Sequence, residues 1–229
     1  MFTPDDIAAI KLSLKVATWA TVCTLPLGIA MALLLARGRF VGKSLLDALV
    51  HLPLVMPPVV TGYLLLLTFG RRGAVGAWLE HTFGFTFAFN WTGAALACAV
   101  MGFPLMVRAM RLSIEAVDPG LERAASTLGA SRAWVFATVT LPLALPGVIA
   151  GAVLCFAKAL GEFGATITFV SNIPGVTRTL PMAIFSDTQV PGGDPAAIRL
   201  TLVSIGISLA ALVASEWLAR RVRGARSTR

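Results

Sequence analysis

The sequence predicts an all-α integral membrane protein with five spanning helices, and three observations lead to this fold class. Of the 229 residues, 57% are hydrophobic and 13% are charged, whereas a soluble domain carries about 25% charged residues. Five segments reach the length of about 20 mostly apolar residues that a spanning helix needs. The basic residues lie at the ends of these segments and not on one face, which indicates membrane topology and disfavours nucleic-acid binding. The five segments are residues 12–36, 45–69, 91–110, 139–160 and 198–218.

The basic residues also predict the orientation of a single membrane domain over residues 1–229. Twelve Lys and Arg residues fall on one side of the five predicted spans and six on the other. Because the side richer in Lys and Arg is normally cytoplasmic, we expect the N-terminus outside and the C-terminus in the cytoplasm. The twelve are Arg37, Arg39, Lys43, Arg108, Arg111, Arg123, Arg132, Arg220, Arg221, Arg223, Arg226 and Arg229.

The second predicted span contains adjacent prolines, Pro57 and Pro58, with Thr61 just beyond them. Proline removes a backbone donor and bends a helix, which a bilayer tolerates where protein or a water-filled cavity satisfies the freed carbonyls. Two interpretations stay open: a kinked helix that lines a cavity, or a kink that serves packing alone.

The third and fourth predicted spans are joined by a polar segment at about residues 114–138, which we expect to be cytoplasmic. Within it, apolar and small residues recur at helical spacing from Leu121 to Leu128 and predict a short amphipathic helix. Gly129 is suited to ending that helix, since glycine accepts the left-handed conformation of a C-terminal cap. Ser131 can then cap a second helix carrying Trp134. We name residues 122–142 the knuckle.

The fourth predicted span carries a small-residue pattern, Gly147 and Gly151, that allows helices to approach closely. Near its end, Lys158 and Glu162 stand four residues apart in an apolar stretch. Charges at such depth face a cavity or each other. They therefore either line a polar or anionic path, continued by the hydroxyls of Thr166, Thr168 and Ser171, or form an ion pair that fixes the helix.

The interval 161–197 is too irregular for a clear sixth span, because four prolines interrupt it after a short apolar run. We expect an extension of the fourth helix, then an external loop with a short helix near residues 182–188. A re-entrant sixth element in this interval is left open.

Several chemical signatures are absent from the sequence. It contains no G-x-x-x-x-G-K-[ST] phosphate loop, no H-E-x-x-H and no G-x-S-x-G. The three cysteines lack the spacing of a metal site. We therefore predict no catalytic residues, no metal site and no cofactor in this chain, and any ATP with its Mg²⁺ would be bound by a separate subunit.

The knuckle resembles the cytoplasmic signature of ABC-importer permeases, E-A-A-x-x-x-G-x9-I-x-L-P. Ala124, Ala125 and Gly129 occupy the Ala-Ala-Gly positions, and after nine intervening residues come residues 139–142, ending in Leu-Pro. The glutamate position holds Arg123, and the glutamate stands one residue earlier as Glu122. In that family the signature forms coupling helices that dock into a cleft of the ATPase. The resemblance implies this role for Glu122, Arg123, Ala124, Ala125, Leu128, Gly129, Leu141 and Pro142.

Four further stretches resemble the permease subunits of bacterial molybdate importers: residues 52–66, 103–111, 160–175 and 177–181. The resemblance runs from about residue 12 to 220. It implies a type I ABC importer (MetI-like) permease fold, with two copies of the chain forming a pore in the bacterial inner membrane. Two ATPase subunits and a periplasmic molybdate-binding protein are the implied partners, and molybdate, with tungstate, the implied substrate. The residue patterns described above supply the candidate lining of the pathway: Pro57, Pro58, Thr61, Lys158, Glu162, Thr166, Thr168 and Ser171.

Three alternatives accompany this reading. The same machine could import sulfate or thiosulfate, because related importers share much of the pattern. A second alternative is an ATP-independent channel or secondary transporter that uses Lys158 and Glu162 as a proton-sensitive pair. A membrane enzyme or scaffold is disfavoured, because no catalytic constellation is present.

Overall fold

The structure, a computed structural model, describes residues 2–227, and the side chains of residues 2–214 and 217. These residues form helices and connecting turns. The helices are α1 (Pro4–Arg37), α2 (Lys43–Val55), α3 (Pro58–Phe69), α4 (Ala74–Phe83), α5 (Trp91–Glu115), α6 (Pro119–Thr127), α7 (Arg132–Val135), α8 (Leu141–Leu160), α9 (Gly164–Val170), α10 (Leu180–Thr188) and α11 (Asp194–Ser227). A π-helical turn, Phe136–Thr140, joins α7 to α8.

The core is built by α1, α5 and α8, which pack against one another along their lengths. The predicted close approach at the small residues of α8 is confirmed. A Cβ added at Gly147 would lie 2.1 Å from the Ser113 Cβ, and one at Gly151 would lie 2.8 Å from the Met106 carbonyl oxygen. Since both neighbours belong to α5, these glycines let α8 lie directly against it.

Four of the five predicted spans fall on single long, apolar helix stretches: Pro4–Arg37, Trp91–Glu115, Arg132–Leu160 and Asp194–Ala214. The second predicted span is different. We expected one kinked helix, but α2 and α3 are separate helices bent by 112° at Met56–Pro57. The bend lies at the predicted prolines, but it interrupts the helix, because Met56 and Pro57 are extended between α2 and α3 and α3 packs against α9.

The interval 161–197 also departs from expectation. The fourth helix does not extend beyond Leu160, where α8 ends. Instead the chain turns at Gly161 and forms the separate seven-residue α9, which packs against α3 and α5. The Glu162 carboxylate accepts a hydrogen bond from the Ala165 amide of α9, which favours a new helix start over continuation of the old one. The short helix predicted near residues 182–188 is present as α10.

The orientation of the termini stays a prediction. Part of its support comes from the basic residues of the C-terminal tail, and these lie outside the part of the chain whose side chains the structure describes. They are Arg220, Arg221, Arg223, Arg226 and Arg229.

Candidate functional site

The knuckle begins within α6, and short-range contacts fix both ends of this helix. The Asp118 carboxylate accepts a hydrogen bond from the Gly120 amide at 2.7 Å, and Pro119 occupies the first turn. The helix ends at Thr127, and Gly129 follows with φ of +87°, the left-handed conformation that favours glycine. Ser131 then caps α7 by accepting a hydrogen bond from the Trp134 amide. The predicted arrangement of helix, glycine and serine-capped helix is confirmed.

The outer face of the knuckle is apolar and uncovered in the single chain. Leu128 is 89% exposed and Trp134 63% exposed. Between them lies an open notch of about 590 Å³, lined by Ala125, Leu128, Gly129, Ala130, Ser131, Trp134 and Thr138. A Cβ added at Gly129 would meet no atom of this chain within 4 Å. An exposed leucine and tryptophan beside a notch form a surface that suits a protein partner.

The two charged residues at the start of the signature point in different directions. Glu122 is half-buried and its Oε1 accepts two hydrogen bonds, from Arg37 Nη2 at 3.1 Å and from Thr140 Oγ1 at 2.8 Å. Arg123 is exposed and donates only to the Pro119 carbonyl of its own helix, at 3.3 Å, among the hydrogen bonds of the described residues. The Glu122 carboxylate is therefore engaged inside the chain, whereas the Arg123 guanidinium is accessible to a partner.

The remaining predicted coupling residues divide between the surface and the scaffold. Ala124 is exposed and Ala125 half-buried on the notch side of α6. Leu141 and Pro142 are half-buried in the first turn of α8, where Leu141 packs against the core shared by α1, α5 and α8. The knuckle thus joins an exposed apolar surface to the core through the start of α8.

The predicted pair of Lys158 and Glu162 is formed. Lys158 Nζ lies 2.7 Å from Glu162 Oε2, and Glu162 is 2% exposed. The other carboxylate oxygen accepts the Ala165 amide at 2.9 Å. Both oxygens of the buried carboxylate are therefore satisfied within the chain, and the pair fixes the junction between α8 and α9.

Other predicted pathway residues lie around the contact of α3 with α9. Thr166 is fully buried and bonds to backbone carbonyls, and Thr61 is buried on α3. The Thr168 hydroxyl donates to the Gly164 carbonyl. Gly164 lies against Pro58, because an added Cβ would stand 2.8 Å from the Pro58 Cβ. Pro57 and Ser171 are exposed.

Sequence reasoning missed two side chains and one close contact. Arg37 and Thr140 donate hydrogen bonds to Glu122 from distant parts of the chain. The sequence had singled out only Arg37, and only as one of the basic residues that predict membrane orientation. The approach of α3 to α9 at Gly62 had no sequence signal beyond the glycine itself, since a Cβ there would lie 2.5 Å from the Ala165 carbonyl oxygen.

Residues 24–224 match the family described as "Binding-protein-dependent transport system inner membrane component". The chain belongs to this family. The family consists of membrane components of transport systems, so the chain is a multi-pass transport component and not a catalytic enzyme by itself.

Two curated relatives place the chain within this family. It is 59% identical over 220 residues to the molybdenum transport system permease protein ModB of Escherichia coli (strain K12), covering 96% of both chains. It is 37% identical over 218 residues to the sulfate transport system permease protein CysT of the same organism, covering 95% of this chain and 78% of the relative.

Solved structures share the fold at low sequence identity. A bacterial alginate ABC transporter in complex with a periplasmic protein bound to alginate pentasaccharide superposes with a TM-score of 0.76 at 17% identity, over 96% of this chain and 80% of that one. The MetNI methionine ABC transporter gives 0.69 at 14% identity, over 95% and 94%. These likenesses confirm the predicted MetI-like all-α permease fold.

Proposed function

We propose that this chain is the permease subunit of an ATP-driven importer and forms the translocation pathway for molybdate. The observation that carries the proposal is the exposed knuckle, which combines the signature spacing from Ala124 to Pro142 with an uncovered apolar notch. The 59% identity to a molybdenum permease over nearly the whole chain supports the substrate. Tungstate, which has the same charge and nearly the same size, is the expected second substrate.

The proposed machine contains two copies of this chain around a twofold axis in the bacterial inner membrane. Two ATPase subunits bind the cytoplasmic knuckles and carry the ATP and Mg²⁺. A periplasmic molybdate-binding protein docks on the opposite side and delivers the oxyanion. The N-terminus then lies outside and the C-terminus in the cytoplasm, as the distribution of basic residues predicts.

Transport proceeds by alternating access. ATP binding closes the ATPase dimer and draws the two knuckles together, and this movement switches which side of the pore is open. The geometry suits the task, because α6 and α7 are short capped helices on a turn that Gly129 fixes. Residues around the contact of α3 with α9, among them Pro58 and Thr168, are the proposed pathway neighbourhood.

A specific observation supports sulfate as the second candidate substrate: the 37% identity to a sulfate permease over 95% of this chain. The first experiment is therefore a paired uptake measurement. Cells with and without the gene are supplied with trace molybdate, and cellular molybdenum is measured by mass spectrometry beside labelled sulfate uptake. Loss of molybdenum alone supports molybdate. Loss of sulfate uptake alone would identify sulfate as the substrate and leave the proposal of an ATP-driven importer in place.

The docking role is tested at Gly129, where two substitutions separate the effect of side-chain bulk from the effect of backbone strain. Asparagine tolerates φ of +87° far better than most residues, and neither substitution meets another atom of this chain near the Cβ. We expect Gly129→Trp to abolish ATPase binding and uptake, and Gly129→Asn to retain most of both. Gly192→Trp is the matched control, since Gly192 has φ of +79° and the same open space at another turn.

Arg123 occupies the signature's glutamate position and Glu122 precedes it, and we expect only one of the two to contact the ATPase. We propose that Arg123 faces the ATPase and that Glu122 does not, because only Arg123 is exposed.

An ATP-independent channel or secondary transporter remains the alternative of another class. Proteoliposomes that contain this chain without the ATPase decide it: molybdate flux in them would contradict the ATP-driven proposal.

A further inference from the structure

The knuckle is joined to the membrane helices at α6. Helix α6 has no buried residue. A nine-residue helix of this kind is held only weakly by packing, because it removes little apolar surface from water. Its position relative to the long helices therefore depends on the chain itself and on polar contacts.

Those polar contacts meet at one carboxylate. Glu122 lies in the first turn of α6 and accepts hydrogen bonds from Arg37, the last residue of α1, and from Thr140, the residue before α8. The same Arg37 nitrogen donates to the Val117 carbonyl at 2.9 Å, just ahead of the start of α6. We name Arg37, Glu122 and Thr140 the junction triad.

The triad is sheltered enough for its contacts to matter. The Arg37 and Glu122 side chains are 27% and 21% exposed, and charge-assisted hydrogen bonds of this type are stronger than neutral ones. Thr140 closes a π-helical turn, a rare geometry that often occurs at functional sites. The Glu122 bond ties that turn to α6 and so connects the two ends of the knuckle.

We propose that the junction triad transmits movement of α6 to α1 and α8, so that Glu122 acts as a positioning residue for coupling and not as an ATPase contact. The proposal rests on the proposed function. A displacement of α6 pulls Arg37 and Thr140 together through one carboxylate. Without that carboxylate, α6 moves on its flexible connections and the membrane helices follow it less.

The test measures molybdate transported per ATP hydrolysed, in proteoliposomes holding the full complex of permease, ATPase and binding protein. Glu122→Ala removes both hydrogen bonds and leaves the apolar notch intact. We expect the ATPase to co-purify and hydrolyse ATP, while transport per ATP falls by about twofold to 30-fold, the range over which single mutations along a coupling network change the coupling. Glu80→Ala, which removes an exposed carboxylate of the ion pair with Arg71, is the matched control and keeps the wild-type ratio.

Two further variants separate positioning from folding. The exchange of charges, Arg37→Glu with Glu122→Arg, is expected to recover part of the ratio that each single change loses. Thr140→Val removes one bond and keeps the side-chain shape, and we expect an intermediate ratio. A role in folding alone would lower the yield of complex and leave transport per ATP unchanged.

Several results would overturn the proposal. An unchanged ratio in Glu122→Ala, or loss of ATPase binding in Glu122→Ala and the exchanged pair alike, rejects transmission through the triad. Failure of the wild-type complex to transport molybdate with ATP rejects the proposed function instead, so the two failures are distinguishable. If the wild type transports sulfate, the same ratio is measured with sulfate.

Discussion

The close contact between α3 and α9 gives the sharpest stability prediction, through the substitution Gly62→Ala. A Cβ added at Gly62 would lie 2.5 Å from the Ala165 carbonyl oxygen and 2.9 Å from both the Ala165 Cα and the Thr168 Cβ. Two of these three atoms belong to the backbone, so no rotation of a side chain can remove them. The helices must separate, although α9 is held at its start by the Glu162 carboxylate.

The expected magnitude follows from these distances. Carbon atoms in contact prefer separations of about 3.5–4.0 Å, so α3 and α9 must move apart by roughly 1 Å. Overpacking of this kind costs about 1–3 kcal/mol, and rigid neighbours place Gly62 at the upper end. Alanine regains about 1 kcal/mol through its helix propensity. We expect a net loss of about 2 kcal/mol in the free energy of unfolding, which lowers the unfolding temperature by about 4–8 °C.

The assay is thermal unfolding of the detergent-purified complex, followed by tryptophan fluorescence. Gly206→Ala is the matched control, because Gly206 also lies inside a helix and an added Cβ would meet no atom within 4 Å. We expect that variant to unfold at the wild-type temperature or about 2–4 °C above it, from helix propensity alone. If Gly62→Ala unfolds no earlier than Gly206→Ala, the tight contact between α3 and α9 does not exist in the protein.

Three other predictions address the capping, ion-pair and loop contacts. Lys158→Met strands the buried Glu162 carboxylate and should cost about 3–5 kcal/mol in unfolding free energy, most of it recovered in the double variant with Glu162→Gln; equal unfolding temperatures for wild type and single variant would refute the pairing. Asp118→Ala removes the N-terminal cap of α6, which is worth about 1 kcal/mol, and should speed amide hydrogen exchange within α6. The unfolding temperature should not fall, since no residue of that helix is buried. A lower unfolding temperature would contradict this expectation. Thr177→Val removes the fully buried hydroxyl that donates to the Ser171 carbonyl at 2.9 Å and should cost about 1–3 kcal/mol, measured by the same thermal assay; a change within its error would show the loop is held otherwise.

The sequence alone was sufficient for features that depend on neighbouring residues. Apolar length located the long helices, because a spanning helix satisfies its backbone internally. The knuckle was predictable for a similar reason. Gly129 and Ser131 act within one turn of their own positions, and their roles as helix stop and helix cap are those observed.

Tertiary packing decided what the prolines and the polar residues do. Pro57 and Pro58 predict a bend, but the bend angle of 112° accompanies the packing of α3 against α9. No local sequence pattern encodes that packing. In the same way, Gly161 permits either a continued helix or a turn. The Glu162 contact with the Ala165 amide accompanies the turn, and the fourth helix ends at Leu160.

The orientation of Glu122 shows most clearly which features the sequence determines and which depend on tertiary packing. Its position beside the Ala-Ala-Gly signature suggested an outward contact, yet its partners Arg37 and Thr140 lie 85 and 18 residues away along the chain. A carboxylate bonds to whichever donors the fold brings within about 3 Å, and sequence spacing does not contain that distance. The sequence therefore determined that a knuckle forms, and only the packed helices determined which of its charges turn inward.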